Sequence, residues 1–389
     1  MNRISVCMFD NETVRGGAEE HLLCLLRGLD REQFRLTLVC PEELCALLAP
    51  DLPGDVEVVP LALHSFRQVG RMKALRDVLR RNWVDLLHSH GFRPSLVASP
   101  VGRWAGVTVN VETPHVREYW RKGWKSNYAV DRVASRFVDR YIAVSKANRK
   151  YLVEVKRLPA AKVTVIRNGC DIRRYVQGYD ASSSTGLRES VGFGPDDAVM
   201  MIAGRLEPQK GHTVLLDAMA LLRNEFPNLR LIALGEGSLR APLERRVSEL
   251  GLHDAVRMPG QVTDIRGWMT EADLCVLPSF AEGLPLFAIE CLAAARPMVA
   301  TAVDGTPEVV VDGRTGLTVP PGDATLLAEA IGRLLRNADY AKSLGEAGAR
   351  WVREHFTLER QIRETGELYR ELVQARRGEP IAEMVAVQQ

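Results

Sequence analysis

The stretch Ala272-Asp273-Leu274-Cys275-Val276-Leu277-Pro278-Ser279-Phe280-Ala281-Glu282-Gly283-Leu284-Pro285-Leu286-Phe287-Ala288-Ile289-Glu290 decides how the chain is read. Leu274 to Leu277 is a short continuous apolar run, the pattern of a strand buried on both faces. Ser279 to Pro285 has turn composition, and the run from there to Ala295 favours a helix. Strand, polar turn and helix together make the βα junction at which α/β proteins bind ligands. Proline suits the first helical position, so Pro285 is expected there, with Leu286 and Phe287 offering backbone N–H groups at a positive helix end. Such an end takes an anion, and a phosphate fits it best.

Two carboxylates flank that anion site. Glu282 lies in the turn, facing whatever the phosphate carries, and Glu290 lies four residues after Leu286 on the same helix face. Carboxylates accept from hydroxyls and repel phosphates, so a diphosphate between two polyols, as in a nucleotide sugar, matches the pattern. In isolation Glu290 reads equally well as a solvated acid favoured by the helix dipole.

These residues resemble the retaining glycosyltransferases of family four, which have the GT-B fold. The family signature is Glu-x7-Glu after a strand with Gly-x-Pro inside it, and Glu282 to Glu290 with Gly283, Leu284 and Pro285 matches in spacing and content. The resemblance implies two doubly wound parallel-sheet, Rossmann-like α/β domains facing a central cleft. It implies domains at 1–177 (acceptor side) and 196–357 (donor side), a linker at 178–195, a helix at 358–375 crossing back to the first domain, and a tail at 376–389.

Composition agrees with that scale. A chain of 389 residues exceeds what one core usually organises. Hydrophobic content of 46%, charged content of 26% and a net charge of +2 are ordinary for a globular protein and demand no polyanion partner. Seven cysteines, odd in number and without a C-x-x-C pair, read as reduced core thiols of a cytoplasmic protein. The apolar start, Ile4 to Phe9, is short for a signal peptide and fits a first strand. No apolar run reaches transmembrane length.

Through the first half, strands are expected at Arg35–Cys40, Val56–Pro60, Val84–His88 and Val107–Glu112, with helices at Arg67–Arg81 and Pro94–Trp104. Gly16-Gly17 opens the first helix and, by resemblance, touches donor phosphate or acceptor. His88 and His90, two apart at a strand end, share a face, which makes a metal pair conceivable, but no further ligand cluster accompanies them. His115, after Thr113-Pro114, matches a histidine that the family places beside the donor sugar; a lone histidine after a strand is otherwise a structural loop residue. Residues 117–157 mix many cations with Tyr119, Trp120, Trp124 and Tyr128, which suits an anionic membrane surface or simply a solvated face, with no nucleic-acid motif. Asn168-Gly169 reads as a structural tight turn, made cheap because both residues tolerate positive φ.

The second half opens with Ala198–Ala203 and then Gly204-Arg205 to Lys210-Gly211. Two cations five apart in a βα loop can grip one diphosphate. By resemblance, Arg205 and Lys210 neutralise the donor diphosphate together with the Leu286–Phe287 helix end, Glu282 positions the donor sugar, and Glu290 holds the ribose. Asp304 stands where many relatives have glycine. No Asp-x-Asp is present, and neither metal nor other cofactor is expected. The implied activity is retaining transfer from a nucleoside-diphosphate sugar to a hydroxyl of a glycan, glycolipid or small molecule, in cell-envelope polysaccharide synthesis. A nucleotide-sugar epimerase or hydrolase, a phosphorylase with pyridoxal phosphate, and a noncatalytic nucleotide-sugar binding module are the alternatives.

Overall fold

The alternation of strand and helix is realised as two separate parallel sheets. A computed structural model describes residues 3–117, 127–176, 186–262 and 264–378. The chain divides into one unit of residues 1–167 with 359–389 and a second unit of residues 168–358.

The first unit holds seven parallel strands in the order β3-β2-β1-β4-β5-β6-β7. They are β1 (Ile4–Phe9), β2 (Phe34–Cys40), β3 (Glu57–Pro60), β4 (Leu86–His90), β5 (Val109–Thr113), β6 (Arg140–Ala143) and β7 (Val163–Val165). Every residue of β1 is buried. Its alternate side chains enter two different cores: Ile4, Val6 and Met8 in one, Cys7 and Phe9 in the other. That is the signature of a parallel sheet covered on both faces, and it explains why these strands read as unbroken apolar runs.

The first of those cores also takes Leu368, Tyr369 and Val373 from the Leu358–Arg377 helix. Burying each such side chain is worth ~1.5–3 kcal/mol, enough to fix the helix to this unit. The other face is closed by the helices Val69–Arg81 and Phe92–Ala105. β4 runs two residues later than the sequence pattern suggests, so both His88 and His90 belong to it.

The second unit holds six parallel strands in the order β10-β9-β8-β11-β12-β13. They are β8 (Ala198–Ala203), β9 (Leu229–Leu234), β10 (Val256–Gly260), β11 (Leu274–Leu277), β12 (Met298–Thr301) and β13 (Leu317–Val319). Met200 and Ile202 pack with Leu215 and Met219 of the His212–Leu222 helix and with Leu327 and Ile331 of the Ala324–Arg336 helix.

The units part between Arg167 and Asn168, ten residues ahead of the boundary expected at 177. Cys170 is the reason: its N–H donates to Phe356 O at 2.9 Å and its carbonyl accepts from Leu358 N at 3.0 Å, which ties the segment into the second unit. Asn168 and Gly169 do not have positive φ. Glycine is needed at 169 because a Cβ there would lie 2.2 Å from Thr357 O. Of the expected linker, 178–185 lies outside the described residues, and Leu187–Ser190 forms a short helix. Tyr119, Trp120 and Trp124, and the tail from 379, also lie outside them. The described cysteines are free thiols, and no described helix is long and apolar enough to cross a membrane.

Candidate active site

Strand order places a switch point in each sheet, between β1 and β4 in the first unit and between β8 and β11 in the second. Loops leaving the two central strands in opposite directions open a crevice at their carboxyl ends.

In the second unit the loop after β8 brings Arg205 and Lys210 to that edge, and the loop after β11 brings Glu282. Lys210 Nζ lies 2.6 Å from Glu282 Oε1, and Ser279 Oγ donates to the same oxygen at 2.7 Å. Glu282 is only 5% exposed. A carboxylate so buried needs a cation and a second donor, and it has both. Its backbone N–H donates to Asp304 Oδ2 at 3.1 Å. The two loops are cross-braced, since Phe280 N donates to Gln209 O at 2.7 Å and Gln209 Nε2 to Ala281 O at 2.7 Å. Gly211 lets them approach: it has φ 70, and a Cβ there would lie 2.0 Å from Pro278 O. Arg205 is exposed at the same edge.

The helix that follows spans Leu286–Ala293. Pro285 caps it in an extended conformation, φ −71 and ψ 114, rather than occupying its first turn, so the helix begins one residue later than expected. Gly283, Leu284 and Pro285 are buried, and Asn168 Nδ2 holds Leu284 O at 3.0 Å. Glu290 is half-buried and accepts a hydrogen bond from the Tyr175 hydroxyl. Burial first, and then the Glu290 charge, push that phenol far above its ordinary value.

Two residues here escaped the sequence reading. Tyr175 lies in a segment without periodicity, and only folding brings it to Glu290. His212, two positions after Lys210, is 3% exposed, and neither ring nitrogen has a hydrogen-bond partner. Burial and the Lys210 charge push it down to about 4, so it is neutral at physiological pH.

At the carboxyl edge of the first sheet stand four histidines, where the sequence marked three. His90 Nδ1 lies 3.1 Å from His115 Nε2, with the two rings stacked. His21, from the first helix, sets its ring edge-on to His115 at 4.8 Å between centroids. His88 lies 2.7 Å from Thr113 Oγ1 and 2.5 Å from the Tyr369 hydroxyl. Burial and then the neighbouring imidazoles hold His88, His90 and His115 well below the usual histidine range, so these three are neutral. Among the described residues no group of three His, Cys, Asp or Glu side chains is arranged to hold a metal ion.

Gly16-Gly17 begins the Gly17–Gly28 helix, and Gly16 N–H donates to Glu19 Oε2 at 2.7 Å. Glu19 and Asp10 are both buried there. Burial, then the Glu19 charge, push the Asp10 carboxyl up to about 8.

Comparison with known proteins places both units. Residues 15–174 match Glycosyltransferase Family 4 and residues 197–337 match Glycosyl transferases group 1. The chain belongs to the family-four, group 1 glycosyltransferases. A D-inositol 3-phosphate glycosyltransferase from a Nocardioides species is 30% identical over 373 residues, covering 89% of this chain and 78% of that protein. A GDP-mannose-dependent alpha-(1-6)-phosphatidylinositol monomannoside mannosyltransferase from Mycolicibacterium smegmatis is 30% identical over 297 residues, covering 73% of this glycosyltransferase and 75% of its own length. Anabaena HepE, solved in complex with UDP-glucose, shares the GT-B fold with a TM-score of 0.85 at 21% identity, over 95% of this chain and 100% of that one.

Proposed function

We propose that this glycosyltransferase moves a sugar from a nucleoside-diphosphate sugar to a hydroxyl of a glycan, glycolipid or small-molecule acceptor, with retention of configuration and without a metal. The observation that carries this reading is the Lys210–Glu282 pair across the β8–β11 switch point, 2.6 Å apart and beside the start of the Leu286–Ala293 helix. The pair holds an ammonium and a carboxylate in fixed positions at the carboxyl edge of the sheet, where α/β proteins bind ligands.

The barrier to transfer is departure of a diphosphate from an anomeric carbon that becomes oxocarbenium-like. Lys210, Arg205 and the first N–H groups of the helix supply positive charge that is already in place, so none has to reorganise as negative charge develops on the leaving oxygen. Glu282 is a hydrogen-bond acceptor for the sugar hydroxyls, held in position by Lys210 and Ser279. Glu290 accepts from the ribose hydroxyls in exchange for, or beside, Tyr175. On the same face, the departing phosphate oxygen takes the proton of the attacking acceptor hydroxyl as the new glycosidic bond forms, so no protein nucleophile is required.

In the first unit, His115 is buried and neutral, so it can offer a ring nitrogen to a sugar hydroxyl without adding positive charge. Gly17 offers exposed backbone with no side chain, whereas the Gly16 N–H is already held by Glu19. A cytoplasmic site of action and an acceptor from envelope polysaccharide synthesis belong to the same reading, as does peripheral contact with an anionic membrane, for which the cations of residues 127–157 are the support.

The test is calorimetry with UDP-, GDP-, ADP- and dTDP-sugars in EDTA, on the native protein and on Lys210→Ala, followed by the anomeric configuration of the product. Metal-free binding of one donor that the variant loses supports the reading. Unchanged binding by the variant removes the assigned diphosphate site.

A further inference from the structure

The amino edge of the first sheet, opposite the edge carrying the histidines, holds an open groove of about 630 Å³ walled by cations. Arg103 comes from the last turn of the Phe92–Ala105 helix, Arg376 from the last turn of the Leu358–Arg377 helix, and Arg136, Arg140 and Lys162 from the segments entering β6 and β7. One carboxylate, Asp139, stands among these five cations.

Asp139 is fully engaged. Its Oδ2 accepts from Arg103 and from Asn110 N, the latter at 2.7 Å, and its Oδ1 accepts from Arg376 at 2.7 Å. Lys162 donates to the carbonyls of Ser135 and Val138 at 2.8 and 2.7 Å, and Arg140 to Ala161 O at 3.1 Å. Carbonyl partners satisfy N–H groups, as cations at helix ends often do, but they leave the charge uncompensated. Arg140 Nε keeps no partner at all. The crowding is felt at Lys162, whose ammonium is held below its ordinary value by burial and by Arg103 and Arg376, against the opposing pull of Asp139.

We propose that this groove binds a multivalent phosphate ligand, at a second anion site remote from the carboxyl edge of the same sheet. Arginine forks and a lysine converging from several elements match the several oxygens of a polyphosphate or bisphosphate. A monovalent anion would leave most of the charge standing, and the groove has the volume of a small-molecule site. The ligand is either a soluble phosphate ester or the headgroup of an anionic lipid. The inference does not depend on the assigned reaction, because none of these side chains belongs to it.

Tripolyphosphate titrated calorimetrically into the full chain at low salt provides the test. The Arg205→Ala/Lys210→Ala double variant removes the diphosphate site of the second unit, and one equivalent of tripolyphosphate is expected to bind still. Adding Arg136→Glu, at an exposed position and with an unchanged circular dichroism spectrum as the check on its fold, is expected to weaken that binding at least about tenfold. Loss of all binding in Arg205→Ala/Lys210→Ala alone, or no effect of Arg136→Glu, overturns the proposal. If the native protein binds a single equivalent that Arg205→Ala/Lys210→Ala leaves untouched and Arg136→Glu weakens, the groove stands and the second-unit diphosphate site falls. Flotation with phosphatidylglycerol vesicles that Arg136→Glu abolishes assigns the site to a lipid headgroup; tripolyphosphate binding without flotation assigns it to a soluble ester.

Discussion

Asp304 accepts the backbone N–H of Glu282 on its Oδ2 at 3.1 Å while holding a left-handed backbone, φ 42. Glycine at this position would remove the strain but has no side chain to hold the Glu282 backbone. Strain and hydrogen bond are therefore separable. Asp304→Gly is expected to keep stability and lose turnover by about tenfold, the effect of about one hydrogen bond on a positioned group. Asp304→Ala should lose the same turnover and also ~1–2 kcal/mol of stability to its φ. Asp304→Asn keeps an acceptor, tolerates the conformation and should retain most activity. Equal turnover in the glycine and asparagine variants would remove the positioning role.

Lys210→Ala strips a carboxylate that is 5% exposed of its cation. Removing one partner of a buried pair costs ~3–5 kcal/mol, discounted here because the Lys210 side chain is itself 21% exposed. Donor binding should weaken by at least about a hundredfold, and the thermal midpoint should fall with it. Lys210→Ala/Glu282→Gln should recover stability without recovering binding, which denaturant melts and calorimetry distinguish.

Gly211→Ala and Gly169→Ala place a Cβ 2.0 and 2.2 Å from backbone oxygens. Backbone cannot yield as a flexible side chain does, so each should cost about 3 kcal/mol or more in urea melts. A loss below about 1 kcal/mol would mean that the loops relax freely. Gly54→Ala, with open space around it, is the control.

Stability should depend on pH with opposite signs at two places in the first unit. Asp10 is raised from 3.8 to about 8, so the folded chain holds a proton that the unfolded chain releases. Its contribution is present at low pH and is lost as pH rises to about 8, and Asp10→Asn should flatten the alkaline side of the profile. His88, His90 and His115 are lowered from 6.5, so the unfolded chain binds protons that the fold refuses. The thermal midpoint should therefore fall as pH drops below 6.5, and His90→Gln should reduce that fall. In the Asp10→Asn background, where the opposing carboxyl contribution is absent, a midpoint flat from pH 7.5 to 5.5 would contradict three buried neutral imidazoles.

The sequence by itself determined the α/β class, the strands as unbroken apolar runs, and the turns that carry Arg205, Lys210 and Glu282, because a strand covered on both faces and a glycine-rich turn each leave a local pattern. It also placed the last helix with the first unit, by resemblance to the family. Only the tertiary structure decided which residues meet. Lys210 and Glu282 are 72 positions apart and pair because β8 and β11 are neighbours in space. His21 joins His115 from a different element, Asp304 reaches Glu282 from the loop after β12, and Tyr175 reaches Glu290 from a segment without periodicity. At Gly169 the reason for glycine changed as well, from turn conformation to close approach of another backbone. Local pattern reports what each segment buries, whereas side-chain partners depend on strand order and loop packing, which no window of sequence contains.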